Sequence, residues 1–145
     1  MPKSIQQVSD MMQEIDFCML VSRAQDGSLA GRPMSNNQQV GYEGTSYYFT
    51  SDDTRMVDDV KRDASIGLTY RTPSGPDGKP GTFIHVEAEA KLIRDKDVFE
   101  QHWVEDLERW FQQGVDTPGL VLIEARAKRI HYWAGEDEGE VQLPS

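Results

Sequence analysis

The sequence predicts an α+β fold, mainly β, in which about six antiparallel strands form a barrel core. Short segments rich in strand-forming residues recur along the chain, tight-turn sequences separate several of them, and two long segments alternate between apolar and polar residues. Short turns between consecutive strands imply antiparallel pairing. Six strands with only small helical segments favour a closed barrel, because closure removes exposed strand edges.

Length and composition limit the class of protein. The chain has 145 residues, which fits a single domain, and its formal net charge is −10 without a cluster of Lys and Arg. Such an acidic surface repels polyanions, so no nucleic-acid partner is expected. No apolar run reaches the roughly 20 residues of a membrane helix, and the N-terminus lacks the apolar stretch of a signal peptide. We therefore expect a cytoplasmic protein with no membrane partner.

The first half of the chain is predicted to contain two short helices and four strands. After Ser4, a residue placed to cap a helix, apolar residues recur at steps of three and four as far as Ile15. A second helix is expected over 52–62, where the apolar residues share one face. The strands are expected at 17–23, 29–40, 45–51 and 65–71.

The second half predicts two long strands separated by one helix. The Pro- and Gly-rich stretch 72–81 predicts an exposed loop, and the alternating segments 82–93 and 120–133 predict strands. A helix is expected to begin near Asp95 and to end at Gly114. Its apolar stripe consists of Val98, Phe99, Trp103, Leu107, Trp110 and Phe111. The acidic segment 136–145 predicts a solvated, frayed tail after a domain that covers 1–135.

The usual signatures of catalytic and metal sites are missing from the sequence. No nucleophile elbow, Rossmann fingerprint or P-loop occurs, and no spacing of Cys or His predicts a metal site. Cys18 lies inside an apolar strand, which is typical of an inert core thiol. His85, His102 and His131 are far apart in the sequence, which favours hydrogen-bonded or surface roles for each.

Two segments suggest a site for an anionic ligand. Ser51–Asp52–Asp53–Thr54–Arg55 lies where a strand passes into a helix, and hydroxyls, free N–H groups and an Arg at a helix start can hold a phosphate. The alternative is that Ser51, Asp52 or Asp53 only caps the helix. The second segment is Arg32–Pro33–Met34, where a Pro that cannot join a strand ladder suggests an irregular edge facing a ligand.

With these segments the chain resembles a known family across about residues 3–134. The matching stretches are FCMLVSRAQDGSLAGRPMSNN, SYYFTSDDTRMVDDVKRDASIGLTY, FIHVEAEAKLIRDKD, a helix ending in Arg109–Trp110–Phe111, and a last strand ending in Tyr132–Trp133. In this order they resemble the flavin-binding split barrels related to pyridoxamine 5′-phosphate oxidase, specifically the general stress protein branch. The resemblance implies a six-stranded antiparallel split β-barrel with flanking helices, and a homodimer with FMN sites at the subunit interface.

The resemblance also implies which residues contact the flavin. Arg32, Pro33, Met34 and Ser35 would lie along the cofactor, and Asn36 and Asn37 would lie near its polar edge. Phe49, Thr50 and Ser51 would line the ring and the ribityl chain, and Thr54 and Arg55 would bind the phosphate. Trp110 of the partner subunit would cover the ring, unless it only packs in the core through the helix stripe. Trp133 is a weaker candidate of the same kind.

Departures from the family pattern limit the function that the resemblance implies. Met56 stands where the vitamin B6 oxidases carry a Lys after the phosphate-binding Arg, and Arg129–Ile130–His131 precedes Trp133 instead of following a Trp. These differences and the acidic tail argue against oxidation of pyridoxamine 5′-phosphate. The expected function is a flavin-dependent oxidoreductase acting on an unknown small substrate. The alternatives are a non-enzymatic flavin carrier or sensor, and a dimeric barrel that has lost its ligand.

Overall fold

The computed structural model describes residues 3–15, 17–35, 42–73, 76–78, 81–141 and 143. Within these ranges the chain forms seven strands, three α-helices and two short 3₁₀ helices. The α-helices are α1 (Ile5–Met12), α2 (Arg55–Arg62) and α3 (Lys96–His102). The strands are β1 (Phe17–Arg23), β2 (Leu29–Ser35), β3 (Thr45–Ser51), β4 (Ser65–Arg71), β5 (Phe83–Ile93), β6 (Leu120–Ala134) and β7 (Asp137–Glu140). The predicted α+β class is confirmed.

The sheet is antiparallel throughout and runs in the order β2-β1-β4-β5-β6-β3, with β7 added to β6. No hydrogen-bonded ladder joins β2 to β3 within the described residues. The barrel is therefore split at this point instead of closed, and the expectation of a fully closed barrel is wrong. The gap between β2 and β3 is where the candidate site lies.

The main core lies inside the sheet, where inward-facing strand residues pack with the buried residues of α1 and α2. Alternation on β5 places Ile84, Val86 and Ala88 inside, as the sequence predicts. Helix α1 begins at the predicted cap, because Ser4 Oγ accepts from Gln7 N and the Gln7 side chain accepts from Ser4 N. None of the helices in the described part of the chain is both long and apolar enough to span a membrane.

Strand β6 departs from the simple alternation that the sequence predicts. The register with β5 shifts between Glu87 and Ala88, which pair with Arg129 and Ala127, so Lys128 is an extra residue on β6. A bulge of this kind moves the following side chains to the opposite face. Odd-numbered residues such as Ala125 therefore point inward before the bulge, and Ile130 and Tyr132 point inward after it.

The long helix predicted from Asp95 to Gly114 is broken into shorter segments. Helix α3 ends at His102, Trp103 and Val104 adopt extended backbone, and 3₁₀ helices follow at Glu105–Arg109 and Gly114–Asp116. The Trp103 ring packs against Phe49 and Phe111, at 5.0 and 6.2 Å between ring centroids. Packing over the outer face of β3 thus overrides the helical periodicity of the sequence.

The acidic segment after Ala134 is ordered in part, so the expectation of a frayed tail is wrong for its first residues. Asp137–Glu140 forms β7, which pairs with the end of β6. Ion pairs join this strand to its surroundings, including Glu140 with Arg129 at 3.5 Å and Asp137 with Lys3 at 4.0 Å. Val141, which follows, is buried in the core. Asp137 and Glu140 therefore have basic partners, although their side chains remain exposed.

Candidate functional site

A cleft opens where the sheet is split between β2 and β3, with a cavity volume of about 350 Å³. Its walls come from both strands, from the start of β1 and from the segment that follows α3. The lining residues are Phe17, Arg32, Pro33, Met34, Ser35, Tyr47, Tyr48, Phe49, Thr50, Ser51, Thr54, Leu107, Trp110 and Phe111. Aromatic rings together with a few polar groups are typical of a cofactor or small-molecule site.

The cleft-facing edge of β3 carries backbone groups that the sheet leaves free. In an antiparallel pair, every second residue directs its N–H and C=O to the partner strand, and the residues between direct theirs to the opposite edge. Asp52 N donates to Gly119 O at 2.7 Å, so the even-numbered residues of β3 are the ones bonded to β6. Tyr47, Phe49 and Ser51 therefore direct their backbone groups toward the cleft.

The facing edge of β2 is open in the same way. Ala24 N donates to Ser28 O at 2.8 Å in the turn between β1 and β2, which makes the even-numbered residues of β2 the ones bonded to β1. Pro33 and Ser35 are on the open edge. Because Pro33 has no N–H, this is the edge on which a proline costs the sheet no hydrogen bond. The edge predicted around Arg32–Pro33–Met34 is therefore open, although β2 pairs with β1 in a regular register and is not irregular.

Tyr48 forms part of the cleft lining and is fixed from below by a buried polar cluster. Its hydroxyl is hydrogen-bonded to the Tyr70 hydroxyl and accepts from the Cys18 thiol at 3.7 Å. Burial raises the pKa of Tyr48 and of Tyr70, and raises the pKa of Cys18 to about 11. The thiol is therefore protonated at neutral pH, and the prediction of an inert core cysteine is confirmed.

Trp110 lies at the mouth of the cleft and is 54% exposed. Its ring meets the edge of Phe17 at 6.4 Å between centroids, and the Arg109 guanidinium lies over it at 5.1 Å. The alternative that Trp110 packs in the core is wrong, because the break after His102 removes it from the buried stripe. In this structure Trp110 lines the cleft of its own chain.

A second concavity of about 340 Å³ adjoins the cleft at Arg32 and Pro33, which line both. We call it the arginine groove, because Arg32 of β2 and the exposed Arg55 at the start of α2 both line it. Its other lining residues are Ser22, Ala30, Gly31, Met56 and Asp59. Met56 is buried against the core, so it contributes shape and no charge. The Asp59 carboxylate in this lining is paired with Arg62 at 2.9 Å, so Arg32 and Arg55 give the groove its positive charge.

The acidic residues before α2 do not oppose an anion as strongly as the sequence suggests. Asp52 pairs with Arg94 at 2.6 Å, and this guanidinium holds the pKa of the Asp52 carboxyl below its usual range. The cap of α2 is Thr54, whose Oγ1 accepts from Val57 N at 3.3 Å, and not Ser51, Asp52 or Asp53. The Thr54 hydroxyl proton remains available to a ligand, because the cap uses only its oxygen.

The structure brings together most of the predicted site residues and separates a few. Arg32, Pro33, Met34, Ser35, Phe49, Thr50, Ser51, Thr54 and Trp110 line the cleft, and Arg55 and Met56 line the arginine groove. Trp133 lies elsewhere, on the outer face of β6, where it stacks on His131 at 4.4 Å. Asn36 and Asn37 lie outside the described residues.

Sequence reasoning missed five lining residues, namely Phe17, Tyr47, Tyr48, Leu107 and Phe111. The aromatic run on β3 was a visible signal for two of them, because aromatic residues on both faces of one strand are unusual for a strand with one solvated face. Phe17, 46% exposed at the start of β1, is conspicuous only once β1 is seen beside the split. Leu107 and Phe111 follow from the broken helix, which the sequence did not predict.

The histidines have local partners. His85 Nδ1 lies 3.1 Å from Thr69 Oγ1, His131 Nε2 lies 3.1 Å from Glu138 Oε2, and the His102 ring stacks on Tyr47. Within the described ranges, no group of three His, Cys, Asp or Glu residues is arranged to hold a metal ion. These histidines therefore form separate local contacts.

The fold and the cleft define a class of protein, the split barrel with a cofactor-sized cleft between two open strand edges. The sequence pattern of the family described as "Pyridoxamine 5′-phosphate oxidase like" matches residues 3–143, and the chain belongs to this family. Among curated proteins, General stress protein 26 of Bacillus subtilis (strain 168) is 25% identical over 122 residues, covering 81% of this chain and 85% of that protein.

Solved structures show the same fold. A Clostridium acetobutylicum protein described as related to general stress protein 26 superimposes with a TM-score of 0.77 at 15% identity, covering 94% of this chain and 92% of that one. A heme binding protein from Mycobacterium smegmatis gives a TM-score of 0.77 at 10% identity, covering 99% of this chain and 62% of that one. The resemblance to the general stress protein branch of the split barrels is confirmed.

Proposed function

We propose that the chain binds FMN in the cleft and acts as a flavin-dependent oxidoreductase on a small substrate. The observation that carries this proposal is the pair of open strand edges on β2 and β3. A flavin ring is flat, apolar on its faces, and lined with hydrogen-bond donors and acceptors along its pyrimidine edge. The free backbone groups of Tyr47, Phe49 and Ser51 would supply partners for that edge, while aromatic side chains cover the faces.

The arginine groove supports FMN as the form of flavin. Arg32 belongs to both the cleft and the groove, so a ligand can lie in the first and extend its phosphate into the second. Arg55 and the Thr54 hydroxyl would bind that phosphate, together with free N–H groups at the start of α2. Asn36 and Asn37 are proposed at the polar edge of the cofactor.

Bound FMN would supply hydride or single-electron transfer. The residues of the chain have the other tasks. Phe49 and Trp110 would cover the ring, Thr50 and Ser51 would bind the ribityl chain, and Met34 would exclude water from the inner end of the cleft. The hydrogen bonds of Tyr48 to Tyr70 and Cys18 fix the floor on which the ring would lie.

A homodimer with flavin sites at the subunit interface is part of the proposal. The cleft is open on the side of Phe17 and Trp110, and the outer face of β1 and β2 exposes Met19 and Leu29 at 44% and 70%. Exposed apolar patches of this kind mark interaction sites on soluble proteins. A second chain on this face would cover the cleft. In such a dimer, Trp133 of each chain is proposed to lie near the flavin bound by the other.

Haem is a less suitable ligand for this cleft. One structural neighbour is described as a heme binding protein, but the described part of the cleft is lined by neither His nor Cys, two frequent ligands of haem iron. Since the described lining offers neither of these iron ligands, we assign the aromatic walls to a flavin ring and the adjoining arginines to its phosphate. A haem titration of the same preparation serves as the control for this choice.

The experiment that tests the proposed activity is anaerobic reduction of the FMN-loaded protein by NADH or NADPH. We expect loss of the visible flavin absorption followed by its return when an electron acceptor is added, repeated over many turnovers. If the protein binds FMN tightly but shows no turnover with every quinone, nitro and metal-complex acceptor tested, the proposed oxidoreductase activity is contradicted. A flavin carrier or sensor then remains.

A further inference from the structure

Four exposed side chains form a row across the outer face of the sheet, and the row begins at the cleft. Phe83 on β5 is paired with Arg71 on β4 and with Trp133 on β6. Extending the register of the β1–β4 ladder by two residues brings Phe17 on β1 opposite Arg71. The exposed fractions of Phe17, Phe83 and Trp133 are 46%, 38% and 40%, and Arg71 is also exposed. We call this row of four residues the outer strip.

Arg71 is the cation of the outer strip and has an aromatic neighbour on each side. Its guanidinium lies 5.8 Å from the centroid of the Phe83 ring. None of the ion pairs that the described residues form includes Arg71. Arginine side chains both stack on aromatic rings and bind phosphate groups. Arg71 therefore offers its guanidinium to an anionic group that lies between two aromatic rings.

One end of the outer strip is at the cleft, and the other end is a second aromatic stack. Phe17 also lines the cleft, where its ring meets Trp110 at 6.4 Å between centroids. At the far end Trp133 stacks on His131, and the His131 Nε2 atom lies 3.1 Å from the carboxylate of Glu138, the acidic residue opposite Trp133. Neighbouring strands are about 4.8 Å apart, so the three steps from β1 to β6 span about 14 Å.

We propose that the outer strip binds a nicotinamide dinucleotide, NADH or NADPH. Such a molecule consists of an aromatic ring, two phosphates and a second aromatic ring, which is the order of aromatic and cationic groups along the strip. The pyrophosphate lies at Arg71, the adenine stacks on Phe83 beside Trp133, and the nicotinamide lies at Phe17, next to the cleft. The inference rests on the proposed function and names the place where its reductant binds.

Calorimetric titration of NAD⁺ into the oxidised, FMN-loaded protein tests the outer strip without reducing the flavin. Arg71→Ala is expected to bind NAD⁺ roughly tenfold more weakly, because a charge-assisted contact to phosphate is lost. Phe83→Ala should bind it about fivefold more weakly or worse, because the adenine loses its stacking partner. The control is Lys91→Ala, which removes an exposed cation at the other end of β5 and should match the wild type. Absence of NAD⁺ binding by the wild type, or equal affinity of all four proteins, would overturn the assignment.

Reduction kinetics and FMN binding separate the outer strip from the flavin site. In Arg71→Ala the KM for NADH should rise roughly tenfold, while the affinity for FMN stays at the wild-type value. A parallel loss of FMN affinity, or an unchanged KM for NADH, would contradict a separate site for the dinucleotide. Thermal unfolding of each variant shows that the fold is intact. If the wild type binds no FMN, it is the proposed function that fails, and NAD⁺ titrated into the flavin-free protein still tests the outer strip.

Discussion

Pro33 and Phe49 lie on opposite sides of the cleft. At each of these positions the hydrogen-bonding groups of the backbone are directed away from the paired strand. Pro33 is opposite Met19 in a pair that is not hydrogen-bonded, and Phe49 is opposite Leu122 in a pair of the same kind. Within the described ranges, no strand pairs with either of these edges at the split. A protein normally protects such edges, so their position around an aromatic cleft indicates a ligand site.

Removal of the Arg55 guanidinium is expected to affect FMN more than riboflavin. Charge-assisted hydrogen bonds to phosphate contribute about 1.5–3 kcal/mol, which corresponds to roughly a 10- to 100-fold weaker affinity of Arg55→Ala for FMN. Riboflavin lacks the phosphate and should bind Arg55→Ala as it binds the wild type. Fluorescence titration with both ligands measures the difference. The control is Lys61→Ala, an exposed cation on the same helix away from the groove; equal loss of both ligands in Arg55→Ala would make Arg55 structural.

Truncation of Trp110 is expected to weaken flavin binding and leave the fold unchanged. The side chain is 54% exposed, so its removal takes little from the core. Aromatic stacking contributes about 0.5–1.5 kcal/mol, so Trp110→Ala should bind FMN roughly two- to tenfold more weakly. Thermal unfolding and light scattering should show an unchanged midpoint and an intact dimer. Trp103→Ala, which removes a ring packed on Phe49, should lower the midpoint instead; loss of the dimer in Trp110→Ala would contradict the assigned role.

The buried thiol should make stability fall at alkaline pH. Burial raises the pKa of Cys18 from 9.0 to about 11, so the thiol stays protonated in the fold while the unfolded chain ionises it. The contribution of the buried thiol to the free energy of unfolding is therefore complete below pH 9. It is lost between pH 9 and 11, up to about 3 kcal/mol. Urea unfolding at pH 8 and at pH 10.5 measures this loss. Cys18→Ala should show a smaller fall, since only the buried tyrosines remain; an equal fall would place the titration elsewhere.

The side-chain cap of α2, made by Thr54, is expected to contribute to the free energy of unfolding. Thr54→Ala removes the oxygen that accepts from Val57 N and should lower the free energy of unfolding by about 1 kcal/mol. Thr54→Ser keeps the oxygen and should be close to the wild type in urea unfolding. Similar stability of all three proteins would mean that the 3.3 Å contact contributes nothing.

Much of the fold was predictable because local chemistry and tertiary structure agree over most of the chain. The turn at Gly27 has positive φ and follows Asp26, whose carboxylate accepts from Ser28 N, so β1 and β2 fall within the predicted segments. Strand β4 likewise has the predicted bounds. Where tertiary packing prevails, the prediction failed. Trp103 leaves the helical path to pack on Phe49, and Lys128 enters β6 as an extra residue.

The site was predictable in its β-strand components and less so elsewhere. Arg32 and Pro33 stood out because a proline in a strand must face an open edge. Tyr47 and Tyr48 were not identified, because their place in the lining depends on how β3 lies beside the split in the folded chain. The cap was assigned to the wrong residues because Ser51, Asp52, Asp53 and Thr54 are all good caps in succession. Only the backbone geometry distinguishes them.

FMN binding by a dimeric split barrel is tested most directly by titrating FMN into the purified protein. The fluorescence of FMN reports binding, and light scattering reports the mass of the particle. We expect saturable quenching of the FMN fluorescence in the low-micromolar range or tighter, at one FMN per chain, on a particle of twice the chain mass. Absence of quenching at every reachable FMN concentration, with the protein folded, would contradict it and leave a split barrel whose cleft holds no flavin.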